Sequence, residues 1–216
     1  ITSVVLPASV KSIGFAAFAG CDQLTTIAFP ASLDSISGYA FSGSGLTSVE
    51  LPASVKTVGE GAFARCENLE SATVGSENIG KDAFYADAAL ADLTLNKEVK
   101  TIGDGAFKSC SALTGINIEG TALESIGDEA FAYTSISALD LSAQKSLKTV
   151  GGWALAKTPI STATLPNSVS SVGEGTFFYA AQLETTNLPD NLTTVPAFTF
   201  AGAEALVGES IVPATA

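Results

Sequence analysis

The chain contains no histidine. A Ser-His-Asp triad, a Cys-His nucleophile pair and every metal site built on imidazole are therefore excluded. The 216 residues also lack a P-loop, a dinucleotide-binding fingerprint and an EF-hand loop. Gly59-Glu60-Gly61 and Gly103-Asp104-Gly105 have neither the lysine nor the spacing of a phosphate loop. Most familiar enzyme chemistry is thus excluded.

Basic residues are also scarce. Ten Lys and Arg stand against 22 Asp and Glu, which gives a formal net charge of −12. This balance disfavours nucleic acid and anionic membrane surfaces as partners. The sequence has no initiating methionine, no signal peptide and no apolar run long enough to span a membrane. Because Ile1 already lies inside a strand pattern, we expect a piece of a longer protein that lacks its caps.

What the chain has is a repeat. An Ala-Phe pair, or a close variant, recurs about every 21 to 24 residues. A period of about 20–29 residues with leucine-type spacing is typical of a leucine-rich-repeat solenoid. We therefore predict one domain over residues 1–216, an α/β repeat solenoid wound as a right-handed superhelix. It should be dominated by β-strands, with short helical turns and about nine repeats. The pairs are Ala17-Phe18, Ala40-Phe41, Ala62-Phe63, Ala83-Phe84, Ala106-Phe107, Ala130-Phe131, Ala154-Leu155, Thr176-Phe177 and Thr199-Phe200.

Each repeat has three segments. The first, LTSVELP at 46–52, alternates as a strand and stops at a proline. The second, SVKTVG at 54–59, ends in a glycine that suggests a turn with a permissive backbone. The third is the Ala-Phe step, whose phenylalanines should stack as a column. Acidic residues often precede it and predict the capped start of a helical turn. These acids are Glu60, Asp82, Asp104, Asp128 and Glu174.

One column of charges alternates in sign through seven repeats. Equivalent positions in a solenoid lie about 4.7–4.9 Å apart where the backbones pair as strands. Opposite charges in neighbouring repeats favour that pairing, whereas a shift by one repeat would bring like charges together. We interpret the column as a register device; a docking strip for a zwitterionic surface is the alternative. Its members are Lys11, Asp34, Lys56, Glu77, Lys100, Glu124 and Lys148.

The three cysteines occupy one repeat position, three residues before a strand leucine. Cys21, Cys66 and Cys110 are each two repeats apart, hence roughly 10 Å. A disulfide needs α-carbons within about 7 Å, so we predict buried free thiols. Ala88 and Ala181 stand at nearby equivalents, which suggests a slot for small apolar side chains.

The outward positions of the first strands are the candidate binding face, because parallel solenoid strands form a continuous sheet. These side chains are small and mostly polar, without the aromatic and arginine anchors of tight interfaces. A solvated sheet face is the alternative interpretation. The candidate residues are Ser48, Glu50, Ser71, Thr73, Asp92, Thr94, Asn117, Asp140, Thr162 and Thr164.

Aromatic residues also flank the Ala-Phe step. Tyr39 and Trp153 precede it, and Tyr85, Tyr133 and Tyr179 follow it. They either form a patch on the opposite side of the solenoid or pack against the turn.

Two carboxylates could still act as an acid/base pair. The nearest candidates are Asp104 and Asp128 in adjacent repeats. Capping of turns explains acids at this position better, and a calcium ion between them is a third interpretation.

The repeat at 46–69, LTSVELPASVKTVGEGAFARCENL, resembles the BspA-type leucine-rich repeat. Its proline, glycine, Ala-Phe and cysteine all fall at the family positions, and the resemblance covers nearly the whole chain. Departures are Gly75, Asn96, Glu119 and Ser142 in place of proline, and Leu155 in place of phenylalanine. The resemblance implies an exported bacterial, or protist, surface protein engaged in adhesion or host-protein binding.

Three functions are compatible with these observations. The first is a non-enzymatic, extracellular or cell-surface module that binds a protein or a glycan and needs no cofactor. The second is a passive spacer that holds another domain away from the cell. The third is an enzyme that uses the paired acids Asp104 and Asp128.

Overall fold

The computed structural model describes residues 1–118, 120 and 122–206. The predicted domain boundary at 216 and the departure at Glu119 lie outside these residues. The chain winds into a β-solenoid in which most coils contribute two short parallel strands. The strands are β1 (Ser3–Val5), β2 (Ser12–Ile13), β3 (Thr26–Ala28), β4 (Ser35–Ile36), β5 (Ser48–Glu50), β6 (Thr57–Val58), β7 (Ser71–Val74), β8 (Asn78–Ile79), β9 (Asp92–Leu95), β10 (Thr101–Ile102), β11 (Ser125–Ile126), β12 (Ala138–Asp140), β13 (Thr149–Val150), β14 (Thr162–Thr164), β15 (Ser171–Val172) and β16 (Thr185–Thr186).

The first strands of the coils form three parallel sheets, ordered β1-β3, β5-β7-β9 and β12-β14-β16. We call the outward side of these strands the A face. The second strands form one continuous parallel sheet of eight strands, β2-β4-β6-β8-β10-β11-β13-β15, which we call the B sheet. The solenoid therefore has about eight turns, and the nine repeats expected from the sequence are not confirmed.

The third part of each coil is a run of turns, and we call this side of the solenoid the turn edge. It comprises residues 14–21, 37–44, 59–66, 80–87, 103–110, 127–134, 151–158, 173–180 and 196–203. No helix occurs in the part of the chain that the structure describes. The predicted helical turns are therefore wrong, and these segments are non-helical turns. The predicted α/β class is corrected to a β-solenoid.

The hydrogen bonds explain why the turn edge is not helical. Ala62 N donates to Gly59 O at 3.2 Å within the segment, whereas Phe63 N donates to Ala83 O of the next coil at 2.8 Å. Gly61 and Arg65 have left-handed backbones, with φ near +60°, and they turn alternate peptide N–H groups away from the segment toward the next coil. A helix would direct all these N–H groups one way, and the coils would lose this third ladder.

The hydrophobic core is a set of stacked files. Phe41, Phe63, Phe84 and Phe107 are almost fully buried, and neighbouring rings stack with centroids 5.1–5.2 Å apart. Phe18 and Phe131 extend this column at 5.0 and 5.5 Å. The predicted stacking is confirmed; Leu155 interrupts the column, which resumes with Phe177 and Phe200 at 5.6 Å.

The glycine after the B strand does not need a left-handed backbone, contrary to the expectation. Gly59, Gly80 and Gly103 do not adopt a left-handed backbone conformation. They are required because the neighbouring coil approaches too closely: a Cβ on Gly103 would lie 2.7 Å from Gly80 C and 2.8 Å from Ile79 O. The glycine column therefore sets the spacing between coils.

The charge column lies in register, as predicted. Asp34 N donates to Lys11 O at 2.7 Å, and Lys100 N donates to Glu77 O at 2.9 Å. Among the described residues, Lys100 and Glu77 are the one pair of the column in side-chain contact, at 2.8 Å. That contact lowers the pKa of Glu77 and raises the pKa of Lys100 through the hydrogen bond and charge attraction. Both side chains are more than 40% exposed, so the pair specifies register more than it stabilises.

Candidate interaction surfaces

The A face brings the candidate residues of β5, β7 and β9 together in two rows. Ser48, Ser71 and Asp92 are direct strand partners in one row. Glu50, Thr73 and Thr94 form the second row, which an isolated bridge extends to Asn117. The side chains of Ser71, Thr73 and Thr94 are half-buried, and those of the other four are exposed.

The remaining candidates lie on a separate part of the A face, because β9 and β12 belong to different sheets. There Asp140 pairs with Thr164, and Thr162 lies opposite Ala138. The Asp140 carboxylate accepts the Ser142 N–H at 2.8 Å, which lowers the pKa of the carboxyl group. The predicted single continuous face is thus divided, although each part keeps its register.

Between these two parts, the segment around Thr114 and Gly115, which precedes β11, forms no strand. Asn117 N still donates to Leu93 O at 2.9 Å, so pairing persists at one position. A shallow depression of about 490 Å³ opens here, lined by Asp92, Thr94 and Gly115 among others. Its lining residues include no aromatic side chain and no arginine.

Asp104 and Asp128 lie in a second shallow depression, on the turn edge, together with Lys81 and Lys108. Asp104 Oδ1 accepts the N–H of Asp128 at 2.9 Å, and Asp128 Oδ1 accepts the N–H of Gly152 at 2.6 Å. Each carboxylate therefore caps a backbone amide of the next coil, rather than the start of a helical turn in its own coil. Within the described residues no group of three or more Cys, Asp or Glu side chains could hold a metal ion.

These columns are the geometry of a known repeat. The sequence profile of the BspA type leucine rich repeat region matches residues 1–111 and 77–207, with six copies. The chain belongs to the BspA-type leucine-rich-repeat family. The resemblance read from the repeat at 46–69 is thereby confirmed.

Solved structures of bacterial leucine-rich-repeat proteins share this fold. A leucine-rich repeat protein from Bacteroides ovatus is 27% identical with a TM-score of 0.80, over 93% of this chain and 52% of that one. The pneumococcal vaccine antigen PcpA is 26% identical with a TM-score of 0.57, over 95% of this chain and 55% of that one. The chain thus spans about half the length of these proteins, and their bacterial sources agree with the predicted origin. No curated protein matches the chain significantly.

The family's cysteine position is only partly as predicted. Cys21, Cys66 and Cys110 are free, and the latter two are buried. The Cys66 thiol donates to Phe41 O at 3.2 Å and the Cys110 thiol to Phe84 O at 3.1 Å. Burial raises the pKa of both thiols, to about 12 for Cys66, so they stay protonated and unreactive.

The same position is not reserved for small apolar residues, and that expectation is wrong. Thr134 and Thr158 occupy it in later coils and donate to Phe131 O and Leu155 O, each at 2.8 Å. In the fourth coil the residue at this position is Asp87, and not Ala88 as expected. The backbone shows the equivalence, because Leu90 N donates to Asp87 O in the same way as Leu69 N donates to Cys66 O. The slot therefore accepts alanine, as at Ala180, as well as residues whose side chains form hydrogen bonds there.

The flanking aromatic residues, for which two interpretations were open, lie on the turn edge. Tyr39, Tyr133 and Tyr179 are exposed, and Trp153 and Tyr85 are half-buried. Sequence reasoning missed Phe178 and Phe198, which lie beside Trp153. The signal was present: Phe198 stands at the repeat position of Tyr39 and Trp153, where other coils carry a glycine, an acid or alanine.

No helix long and apolar enough to cross a membrane is found in the described ranges.

Proposed function

We propose that the chain is a non-enzymatic protein-interaction module displayed at the surface of a bacterial cell. The in-register rows of the A face carry this proposal. Successive coils place equivalent side chains at one-strand spacing, about 4.8 Å, on a backbone fixed by three ladders. A partner with a repeated or extended surface could bind such a rigid array with little loss of entropy.

Family membership supports the proposal, because leucine-rich repeats serve as interaction scaffolds whose sheets expose variable side chains. The related PcpA protein is a pneumococcal vaccine antigen, which is consistent with a surface location. The net charge of −12 disfavours nucleic acid and anionic membranes as partners. We expect a protein, or a glycan, outside the cell.

The test is binding of the purified chain to panels of extracellular proteins and glycans. A pair of double variants with the same change of charge locates the site: Ser48→Lys with Thr164→Lys on the A face, and Ser12→Lys with Thr57→Lys on the exposed side of the B sheet. We expect a ligand whose affinity falls with the first pair and not with the second. Equal loss in both variants, or no ligand in either panel, would contradict the proposed A-face site.

A passive spacer is the second candidate, favoured by the continuous core that runs along the solenoid. Such a spacer would bind no ligand, and its replacement by an unrelated solenoid of equal length would leave the parent protein's activity intact. An acid/base enzyme would instead lose activity in Asp104→Asn or Asp128→Asn. The backbone bonds of both carboxylates favour a structural role.

A further inference from the structure

The aromatic residues outside the core are confined to one side of the solenoid. Apart from the phenylalanine column and Phe29, which packs edge-on against Phe41, every aromatic side chain of the chain belongs to the turn edge. None lies on the A face or on the outward side of the B sheet. The turn-edge aromatics are Phe15, Tyr39, Tyr85, Tyr133, Trp153, Phe178, Tyr179 and Phe198.

Four of these residues form one cluster near the C-terminal end of the described chain. The Trp153 ring lies 4.7 Å from Phe178, edge to face, and 6.2 Å from Phe198. Phe178 also contacts Tyr179 at 4.5 Å. Tyr179 and Phe198 are each 55% exposed. We call Trp153, Phe178, Tyr179 and Phe198 the aromatic cluster.

The backbone makes these positions costly for aromatic residues. Trp153, Tyr179 and Phe198 have φ values of 56°, 52° and 58°, in the left-handed region that bulky side chains rarely adopt. Other coils adopt the same positive φ at these two columns with glycine, as at Gly61 and Gly202, or with a residue that is not aromatic, as at Ala16 and Lys157. Glycine would satisfy the fold without strain and without exposed apolar surface. Because every coil shares this backbone, the exposed apolar surface of the rings is the feature that indicates a role outside folding.

The charges around the cluster indicate what would cover it. Asp128 and Glu174 come from the two coils that flank Trp153: Gly152 N donates to Asp128 Oδ1, and Trp153 N donates to Glu174 O. Both side chains are exposed, and neither forms an ion pair with another described residue. A partner that brings positive charge would therefore meet carboxylates beside the rings.

Rings on this edge already hold cations. Lys157 Nζ lies 5.0 Å from the centroid of Tyr133, and Arg65 Cζ lies 5.7 Å from that of Tyr85. A lysine or arginine over an aromatic face is attracted by the ring's quadrupole. A second copy of this chain would instead bring another net charge of −12 and be repelled.

We propose that the aromatic cluster, flanked by Asp128 and Glu174, docks a Lys/Arg-rich segment of a partner polypeptide. Cationic side chains lie over the rings of Trp153, Tyr179 and Phe198 and pair with the two carboxylates. This inference rests on the proposed protein-binding role, and it adds the turn edge as a second binding surface beside the A face.

The test measures the affinity of the chain for a fluorescein-labelled oligoarginine peptide at about 0.15 M salt. Tyr179→Gly with Phe198→Gly removes two rings without a change of charge, and glycine is the residue that other coils use in these columns. Glu174→Gln removes one charge beside the cluster, and Asp92→Asn removes one on the A face as its matched control. Thermal unfolding of each variant checks that the fold is retained.

We expect the double glycine variant to bind the peptide about tenfold more weakly, since two cation–π contacts are lost. Glu174→Gln should also weaken binding, and Asp92→Asn should not. Unchanged affinity in the glycine variant, or equal weakening by Glu174→Gln and Asp92→Asn, would overturn the inference, because net charge alone would then explain binding. Glu174→Gln keeps the test valid if the glycine variant unfolds.

Other outcomes separate this inference from the proposed function. If protein ligands bind and are lost only in A-face variants, the turn-edge inference fails and the protein-binding function stands. If the cluster variants lose binding to an uncharged glycan, or lose self-association in sedimentation, while oligoarginine does not bind, the cluster recognises a different partner and the inference fails. If no polypeptide binds at all, both fail.

Discussion

Asp87 Oδ1 accepts the backbone N–H of Cys66 at 2.8 Å, whereas Asp87 Oδ2 is buried and has no hydrogen-bond partner. The side chain is 0% exposed and shares its column with the buried thiols of Cys66 and Cys110. Burial raises the pKa of the Asp87 carboxyl well above its ordinary value. The fourth coil therefore carries an acid where its neighbours carry a thiol or a hydroxyl.

This arrangement predicts a pH-dependent weakness. A carboxyl group whose pKa is raised in the folded state makes its full contribution to the stability of the fold below its unfolded pKa of about 3.9. That contribution is lost as the pH rises through the folded-state pKa. Asp87→Asn keeps the acceptor for Cys66 N–H and cannot ionise. We expect the free energy of unfolding of the variant to exceed that of the wild type by about 1–3 kcal/mol at pH 8. The difference should be smaller at pH 4.

Chemical unfolding of both proteins across this pH range is the measurement. Asp87→Thr is a control, since Thr134 and Thr158 fill the same slot and bond a carbonyl. A difference between Asp87→Asn and wild type that is constant with pH would show that the carboxyl does not titrate in the fold.

The glycine column predicts a contrast between two identical substitutions. Gly103→Ala places a Cβ 2.7 Å from Gly80 C, and rigid backbone cannot move aside. We expect it to destabilise the chain by about 1–3 kcal/mol. Gly14→Ala, in the same column of the first coil, meets nothing within 4 Å and should be neutral or slightly stabilising. Equal melting temperatures for the two variants would refute the close-approach explanation.

The phenylalanine column predicts graded losses. Phe84→Ala removes a ring stacked on both sides by Phe63 and Phe107 and should cost about 3–5 kcal/mol in denaturant unfolding. Phe84→Leu should cost much less, because Leu155 already occupies this position in another coil. Phe18→Ala, at the partly exposed end of the column, should also cost less. A Phe84→Ala loss no greater than that of Phe18→Ala would argue against a continuous stack.

The charge column predicts a salt-dependent effect. Lys100→Glu places a third acid between Glu77 and Glu124, one coil on each side. We expect a lower melting temperature in dilute buffer, and a smaller difference in 1 M salt, where screening acts within about 3 Å. Lys97→Glu makes the same charge change at a side chain that is 79% exposed and outside the column. A similar loss in both variants would assign the effect to net charge instead of register.

Much of the fold follows from spacing alone. Residues about one period apart, such as Phe41 and Phe63 or Lys100 and Glu77, stack because each coil buries its apolar side only against its neighbours. The free cysteines follow from the same spacing. The helical turns could not be excluded, because Ala-Phe steps and preceding acids favour helix when local preference is considered by itself.

The turn edge was harder to predict because its conformation depends on the neighbouring coils. Alternate N–H groups point along the solenoid, and this requires left-handed residues such as Trp153 and Tyr179. Glycines at the same columns were the available signal. The position of Asp87 was missed because counting along the sequence assigned Ala88, the next residue, to the position of the cysteines. On the A face, the rows were predictable, but not the break between β9 and β12.

The most direct test of the account uses the single tryptophan of the chain, Trp153. Titration of the isotope-labelled protein with oligoarginine peptide can be followed by NMR through the Trp153 indole N–H and the backbone amides. The account predicts saturable shifts at Trp153, Tyr179 and Phe198, while Ser48 and Asp92 stay unchanged. Shifts confined to the A face, with the Trp153 indole signal unmoved, would contradict it.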